Sequence, residues 1–165
     1  MEKVMVFIDG ANLFFSAIDQ NVKPNFSYEK LARKLVGSGR KLLRAYYYDA
    51  PLDQKTDPER YRKQQSFLSH VDKLSYFEVR RGRMFNGRQK GVDVRMAVDM
   101  VNYGFKNTYD VAIVVSADSD LVPAVEYVKA EGKQVELAFF DKCWNLKNAC
   151  DSFIEFSADF FNDCY

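Results

Sequence analysis

Four short runs, Val4 to Ile8, Leu42 to Tyr48, Val111 to Val115 and Val135 to Phe140, are nearly continuous in apolar residues. A strand that is apolar at consecutive positions has both faces covered, which predicts a parallel sheet sandwiched between helices. Helical stretches lie between these runs. The first is Leu13 to Ile18, and Ser27 to Val36 follows with Ser27 as cap and Gly37 as stop. Asp57 and Pro58 open a polar helix that reaches about Leu74, and another runs from near Gly91 to near Gly104. Leu121, Val122, Val125 and Val128 form a helical stripe closed by Gly132, and Pro123 requires that helix to start within a residue or two of Asp120. "LSYFEVRRGRMF" alternates around Phe77 to Arg80 and predicts an edge strand leading into a Gly-containing turn. A tail with "FIEF" and a short helix at Ser157 to Phe161 completes the chain. The β-α-α-β-α-β-α-β-α-β order predicts an α/β, three-layer Rossmann-like fold with a mainly parallel central sheet flanked by helices.

At 165 residues the chain is the size of one domain, and no linker or repeat divides it, so residues 1–165 are expected to share one core. The apolar runs are far shorter than the roughly 20 residues of a membrane helix. "MEKVMVF" lacks the pattern of a secretory signal, and a cytoplasmic protein is expected. Cys143, Cys150 and Cys164 form neither a CxxC pair nor an even disulfide set, which argues against structural zinc. Lys plus Arg number 24 against 23 Asp plus Glu, so contact with a polyanion has to come from local clustering.

In sheets of this kind, ligands bind outside the carboxyl ends of the strands, where the strand order reverses. The first apolar run ends on Asp9, and small or turn-forming Gly10, Ala11 and Asn12 behind it leave room for close approach. Val111 to Val115 run into Ser116, Asp118 and Asp120 in the same way, so two strands deliver acids to one edge if they are neighbours. Helix capping by Asp9, by Ser119 or Asp120, and by Asn12 as an Asx-type cap is the competing account. On the helix "KGVDVRMAVDMVNYG", Asp93 shares a face with Met96, Ala97 and Met100, where burial without a partner would be costly. Asp99 faces Arg95, as a surface pair or as support behind the site. Asp9, Asp93, Asp118 and Asp120 together make an all-oxygen set suited to Mg2+ or Mn2+. Mutual repulsion of these acids predicts a weaker fold without metal. No GxGxxG or GxxxxGK[ST] loop is present, and His70 reads as a surface or packing residue.

Arg80, Arg81, Arg83, Arg88 and Lys90 crowd one stretch without an intervening acid. Protection of a sheet edge is one account. Contact with a phosphate backbone, with Phe85 stacking on a base, is the other, and it is favoured because the stretch runs into Gly91 and Asp93.

The motifs "FIDGANLF", "KGVDVRMAVDMV" and "VVSADSDLVPAVEYVKAEGKQVEL", in this order over nearly the whole chain, resemble those of the NYN domains, in particular the LabA-like group among the PIN-like ribonucleases. The resemblance implies a PIN fold and metal-dependent hydrolysis of RNA. It maps the acidic ligands onto Asp9, Asp93 and Asp118, with Asp120 and Asn12 alongside as catalytic residues. The family's last motif has glycine where this chain has Ala117, a strained choice if the backbone there takes a positive φ. The expected protein is a ribonuclease with Asp9, Asp93 and Asp118 on the metal and Ser116 and Asp99 behind them. Arg81, Arg83, Arg88, Lys90 and Phe85 are expected on single-stranded RNA. A non-catalytic RNA-binding or regulatory module and a small-molecule phosphatase are the alternatives, and the exposed edge near Phe77 offers a surface for a homodimer.

Overall fold

The computed structural model describes residues 1–140 and 142–165. Six strands form one sheet in the order β3-β2-β1-β6-β7-β8, with a separate two-stranded ribbon, β4-β5. The central strands are β1 (Lys3–Asp9), β2 (Lys41–Asp49), β6 (Val111–Val115) and β7 (Gln134–Phe139). The edges are β3 (Phe77–Arg81) and β8 (Ser152–Glu155), and every neighbouring pair in the large sheet is parallel.

Side-chain alternation along these strands divides the core into two layers. Val4, Val6 and Ile8 of β1 point with Ala45 and Tyr47 into one layer, which is covered by α1 (Gly10–Asp19), α2 (Tyr28–Val36) and α3 (Pro58–Asp72). Met5 and Phe7 point with Tyr46 and Tyr48 into the other, under α4 (Val92–Phe105), α5 (Val122–Ala130) and α6 (Trp144–Ala149). All five of these β1 side chains are buried. Each large apolar group in such a position stabilises the fold by roughly 1.5–3 kcal/mol. Among the described residues, no helix is long and apolar enough to cross a membrane.

The helix ends follow their sequence signals. Ser27 caps α2, whose Gly37 stop has φ 74, and Asp57 caps α3 with Pro58 in its first turn. Two elements were not legible as written. The tail "FIEF" pairs as β8 because α6, a helix of six residues, carries the chain across from β7. A stretch that short gives too little periodicity to read. The turn after β3 is a full hairpin, in which β4 (Arg83–Phe85) pairs antiparallel with β5 (Arg88–Lys90). Asn86 and Gly87 at its tip both take positive φ, 51 and 73, as the tight hairpin turn requires.

Candidate metal centre and nucleic-acid interface

The chain winds outward from β1 through β2 to β3, and from β6 through β7 to β8 in the other direction, so the strand order reverses between β1 and β6. The two strands are neighbours, with Ile8 opposite Val115. Asp9 and Ser116 therefore emerge side by side at the carboxyl edge, where a doubly wound sheet opens its crevice.

A chain of hydrogen bonds ties the two strand ends together. The Ser116 hydroxyl, buried, donates to Asp9 Oδ2 at 3.1 Å and accepts from the Asp118 N–H at 3.1 Å. Asn12 Oδ1 accepts from the Ala117 N–H at 3.1 Å, and the Asn12 N–H donates to Asp9 Oδ1 at 3.3 Å. Asp118 Oδ1 accepts from the Asp120 N–H at 2.9 Å. Asp9 is the N-cap of α1, and Asp118 caps the 3-10 turn Ser119–Leu121; α5 itself starts from Leu121 without a side-chain cap, so neither Ser119 nor Asp120 caps it. Capping and site geometry share the same carboxylates. Ala117 has no positive φ, so the alanine is unstrained.

One carboxylate oxygen from each of Asp93, Asp118 and Asp120 lies within 4.8 Å of the other two. Three hard oxygen donors converging in this way fit a divalent cation such as Mg2+ or Mn2+. Asp93 is half-buried at the margin of the α4 core stripe, which is made by Val92, Met96 and Met100. Burial first, then the charges of Asp120 and Asp93, push the Asp118 carboxyl up against the lowering effect of its hydrogen bond from Asp120. Asp9 stands beside this trio rather than within it, since its own bonds hold it to Ser116 and Asn12. Its carboxyl is pushed up to about 6, chiefly by burial, with the charges of Asp118 and Asp49 adding to the rise.

Sequence reasoning passed over Asp49. It ends β2 as Asp9 ends β1, and that repeated pattern was the available signal. Asp49 is buried, accepts from the Ala50 N–H and from Gln89 Nε2 at 2.9 Å each, and lies 3.5 Å from Gln64 Nε2. Gln89 belongs to the hairpin. Because cross-strand partners share a face, Met84 and Gln89 occupy one side of the ribbon and Arg83, Lys90, Phe85 and Arg88 the other. Met84 packs on the core and Gln89 reaches Asp49, so three cations and an exposed Phe85 are turned outward beside the acids. Arg81 precedes them and donates to Gln65 Oε1 at 3.0 Å.

Two expectations are corrected by the packing. Asp99 does not pair with Arg95; it accepts from the Tyr48 hydroxyl at 2.8 Å and lies 3.9 Å from Arg80 Nε, while Arg95 reaches the Arg81 carbonyl. Tyr48 comes from β2, opposite Arg80 of β3, and a core-facing tyrosine hydroxyl takes the nearest acceptor. The space behind Asp9 is filled from within: a Cβ on Gly10 would sit 2.4 Å from the Tyr47 ring.

The family model of the NYN domain matches residues 3–157. The chain belongs to the NYN domain family. The NYN domain brings a PIN-like nuclease fold, and here its acidic cluster stands at the reversal point of the sheet. A solved structure of a protein of unknown function from Vibrio parahaemolyticus shares the fold with a TM-score of 0.73 at 22% identity, over 96% of this chain and 94% of that one. No curated protein matches this NYN domain.

The raised Asp9 carboxyl makes a stability prediction. Its folded value, about 6 against 3.8, means that the folded state holds the proton more tightly, so without metal the fold loses stability as pH rises from about 4 to about 6. Two units correspond to about 3 kcal/mol as a ceiling, and solvent screening lowers this to about 1–2 kcal/mol. Asp9→Asn keeps the cap acceptor but removes the charge. In chelator it is expected to unfold at higher urea than the unchanged chain at pH 7.5, and at nearly the same urea at pH 4. Equal midpoints at both pH values would refute the burial of an ionised Asp9.

Proposed function

We propose that this NYN domain, read as a LabA-like member, is a metal-dependent ribonuclease that hydrolyses phosphodiester bonds of single-stranded RNA. The observation that carries the reading is the convergence of the Asp93, Asp118 and Asp120 oxygens at the carboxyl edge of the sheet, next to Asp9. These three residues would hold Mg2+ or Mn2+. Bound there, the cation supplies Lewis-acid charge beside the phosphoryl oxygens and makes water more acidic. The remaining work falls to the chain. Asp9, at the edge of the trio, would take a proton from water, while Ser116 and Asn12 keep the carboxylate oriented. The outward face of the hairpin grips the backbone through Arg83, Arg88 and Lys90, and Phe85 offers a ring for a base. Gln89 holds that ribbon against Asp49 and so fixes the distance from grip to acids.

A labelled single-stranded RNA pool incubated with manganese, with magnesium and with chelator tests this reading. Cleavage in either metal and none in chelator is the expected result. RNA retained by the protein but intact in every condition would leave a binding module in its place.

A further inference from the structure

The 3-10 turn Ser119–Leu121 contacts both α4 and α6, and in the sheet order the hairpin follows β3 at one edge while α6 precedes β8 at the other. On the α4 side lie Asp93 and, just ahead of it in the chain, the cationic hairpin. On the α6 side lies an open groove of about 450 Å³, lined by Ser119, Val122, Glu126, Asn145, Asn148 and Ala149. That volume is within the range of roughly 300–1,000 Å³ typical of ligand clefts. Ser119 sits between Asp118 and Asp120 in the chain, so the groove begins where the acid cluster ends.

The chemistry of its walls differs from that of the hairpin. Among the described residues no cation lines it, and Glu126 would repel a phosphate. Two amides offer donors and acceptors, a hydroxyl offers both, and the carboxylate accepts only. None of these four side chains has a hydrogen-bond partner among the described residues. Val122 and Ala149 supply apolar surface between them. Trp144, 75% exposed, stands one helical turn from Asn148 on the same face of α6 and presents a stacking surface at the rim.

We propose that this groove binds the base of a nucleotide flanking the scissile phosphate, on the side away from the hairpin, and prefers bases with an exocyclic amino group over uracil. The inference rests on the ribonuclease reading. Carboxylates accept from the amino group of cytosine and side-chain amides pair with adenine, whereas uracil has no amino donor to offer Glu126. The strand would cross the molecule from hairpin to acids to groove, with phosphates held at one end and a base read at the other.

Fluorescence anisotropy of labelled A, C and U pentamers, with calcium replacing manganese to hold off cleavage, tests the proposal. The A and C pentamers are expected to bind about tenfold more tightly than U. A triple variant, Glu126→Gln with Asn145→Ala and Asn148→Ala, should bring the three within about threefold of one another. Its melting temperature should match the unchanged chain, because all three side chains are exposed. Arg83→Ala with Lys90→Ala should instead weaken all three pentamers by a common factor. Equal binding of A, C and U by the unchanged chain, or a preference that survives in the triple variant, overturns the base subsite and leaves the nuclease reading standing. Failure to bind any pentamer overturns both.

Discussion

Asp118→Asn is expected to reduce metal-dependent RNA cleavage by more than about a hundredfold while the protein still retains RNA. Replacing residues that merely support a metal ligand commonly costs 10- to 100-fold, so loss of a ligand charge should exceed that. The substitution isolates charge from shape. The new side-chain amide would keep an oxygen for the Asp120 N–H, and the backbone N–H at this position would still reach Ser116, so the turn should persist. What disappears is one of the three carboxylates within 4.8 Å of one another. Thermal melting provides an independent check. In chelator the variant should melt no lower than the unchanged chain, because repulsion from Asp93 and Asp120 is relieved. Added manganese should raise the melting temperature of the unchanged chain and leave the variant's nearly unmoved. Asp99→Asn serves as the contrast, since Asp99 holds Tyr48 and Arg80 rather than the trio, and its cleavage should remain near the original rate. Cleavage by Asp118→Asn at an undiminished rate would place the reaction elsewhere.

The sheet was legible because parallel strands buried on both faces leave unbroken apolar runs, as Val111 to Val115 do. The acids were legible for a related reason: a carboxylate at the end of such a run interrupts the pattern, and Asp9 and Asp118 both do so. The arrangement of the acids was less accessible. Sequence spacing on α4 places Asp93 by the core stripe, but only the packing of the 3-10 turn against α4 brings Asp93 toward Asp118 and Asp120. Asp49 is hidden in the sequence because it follows the aromatic run Tyr46-Tyr47-Tyr48 and, unlike Asp9, opens no helix directly behind it. The i,i+4 rule pairs Asp99 with Arg95 because it considers only their own helix, whereas the tyrosine that claims Asp99 comes from β2. The cations of the hairpin were visible as a cluster. Their common face depended on the register Arg83 to Lys90 and Phe85 to Arg88, which the Asn86-Gly87 turn sets.

Gly10→Ala is expected to destabilise the protein by about 2–3 kcal/mol, although the backbone alone predicts the opposite sign. Gly10 opens α1 and has no positive φ, and replacing such a helical glycine by alanine normally gains up to about 1 kcal/mol. The obstacle is Tyr47. An added Cβ would lie 2.4 Å from its Cζ, 2.5 Å from Cε1 and 2.6 Å from its hydroxyl oxygen. The far end of a flexible side chain would swing away at little cost, but this ring is buried and locked edge-on by Tyr28 and Phe67, with centroids 5.2 and 5.7 Å away. Relief therefore requires either the ring to move into a packed core or α1 to lift from β2, and both strain the Asp9 cap at the mouth of the site. A double-mutant cycle with Tyr47→Leu separates this clash from any general effect of alanine. Tyr47→Leu alone should be destabilising through lost packing, while Gly10→Ala added to it should cost little or become favourable, a coupling of about 2 kcal/mol measured by urea unfolding. An additive cycle would mean that the glycine is needed for something other than room for the ring. The coupling would show that the small residue behind Asp9 serves the fold first and the site through it.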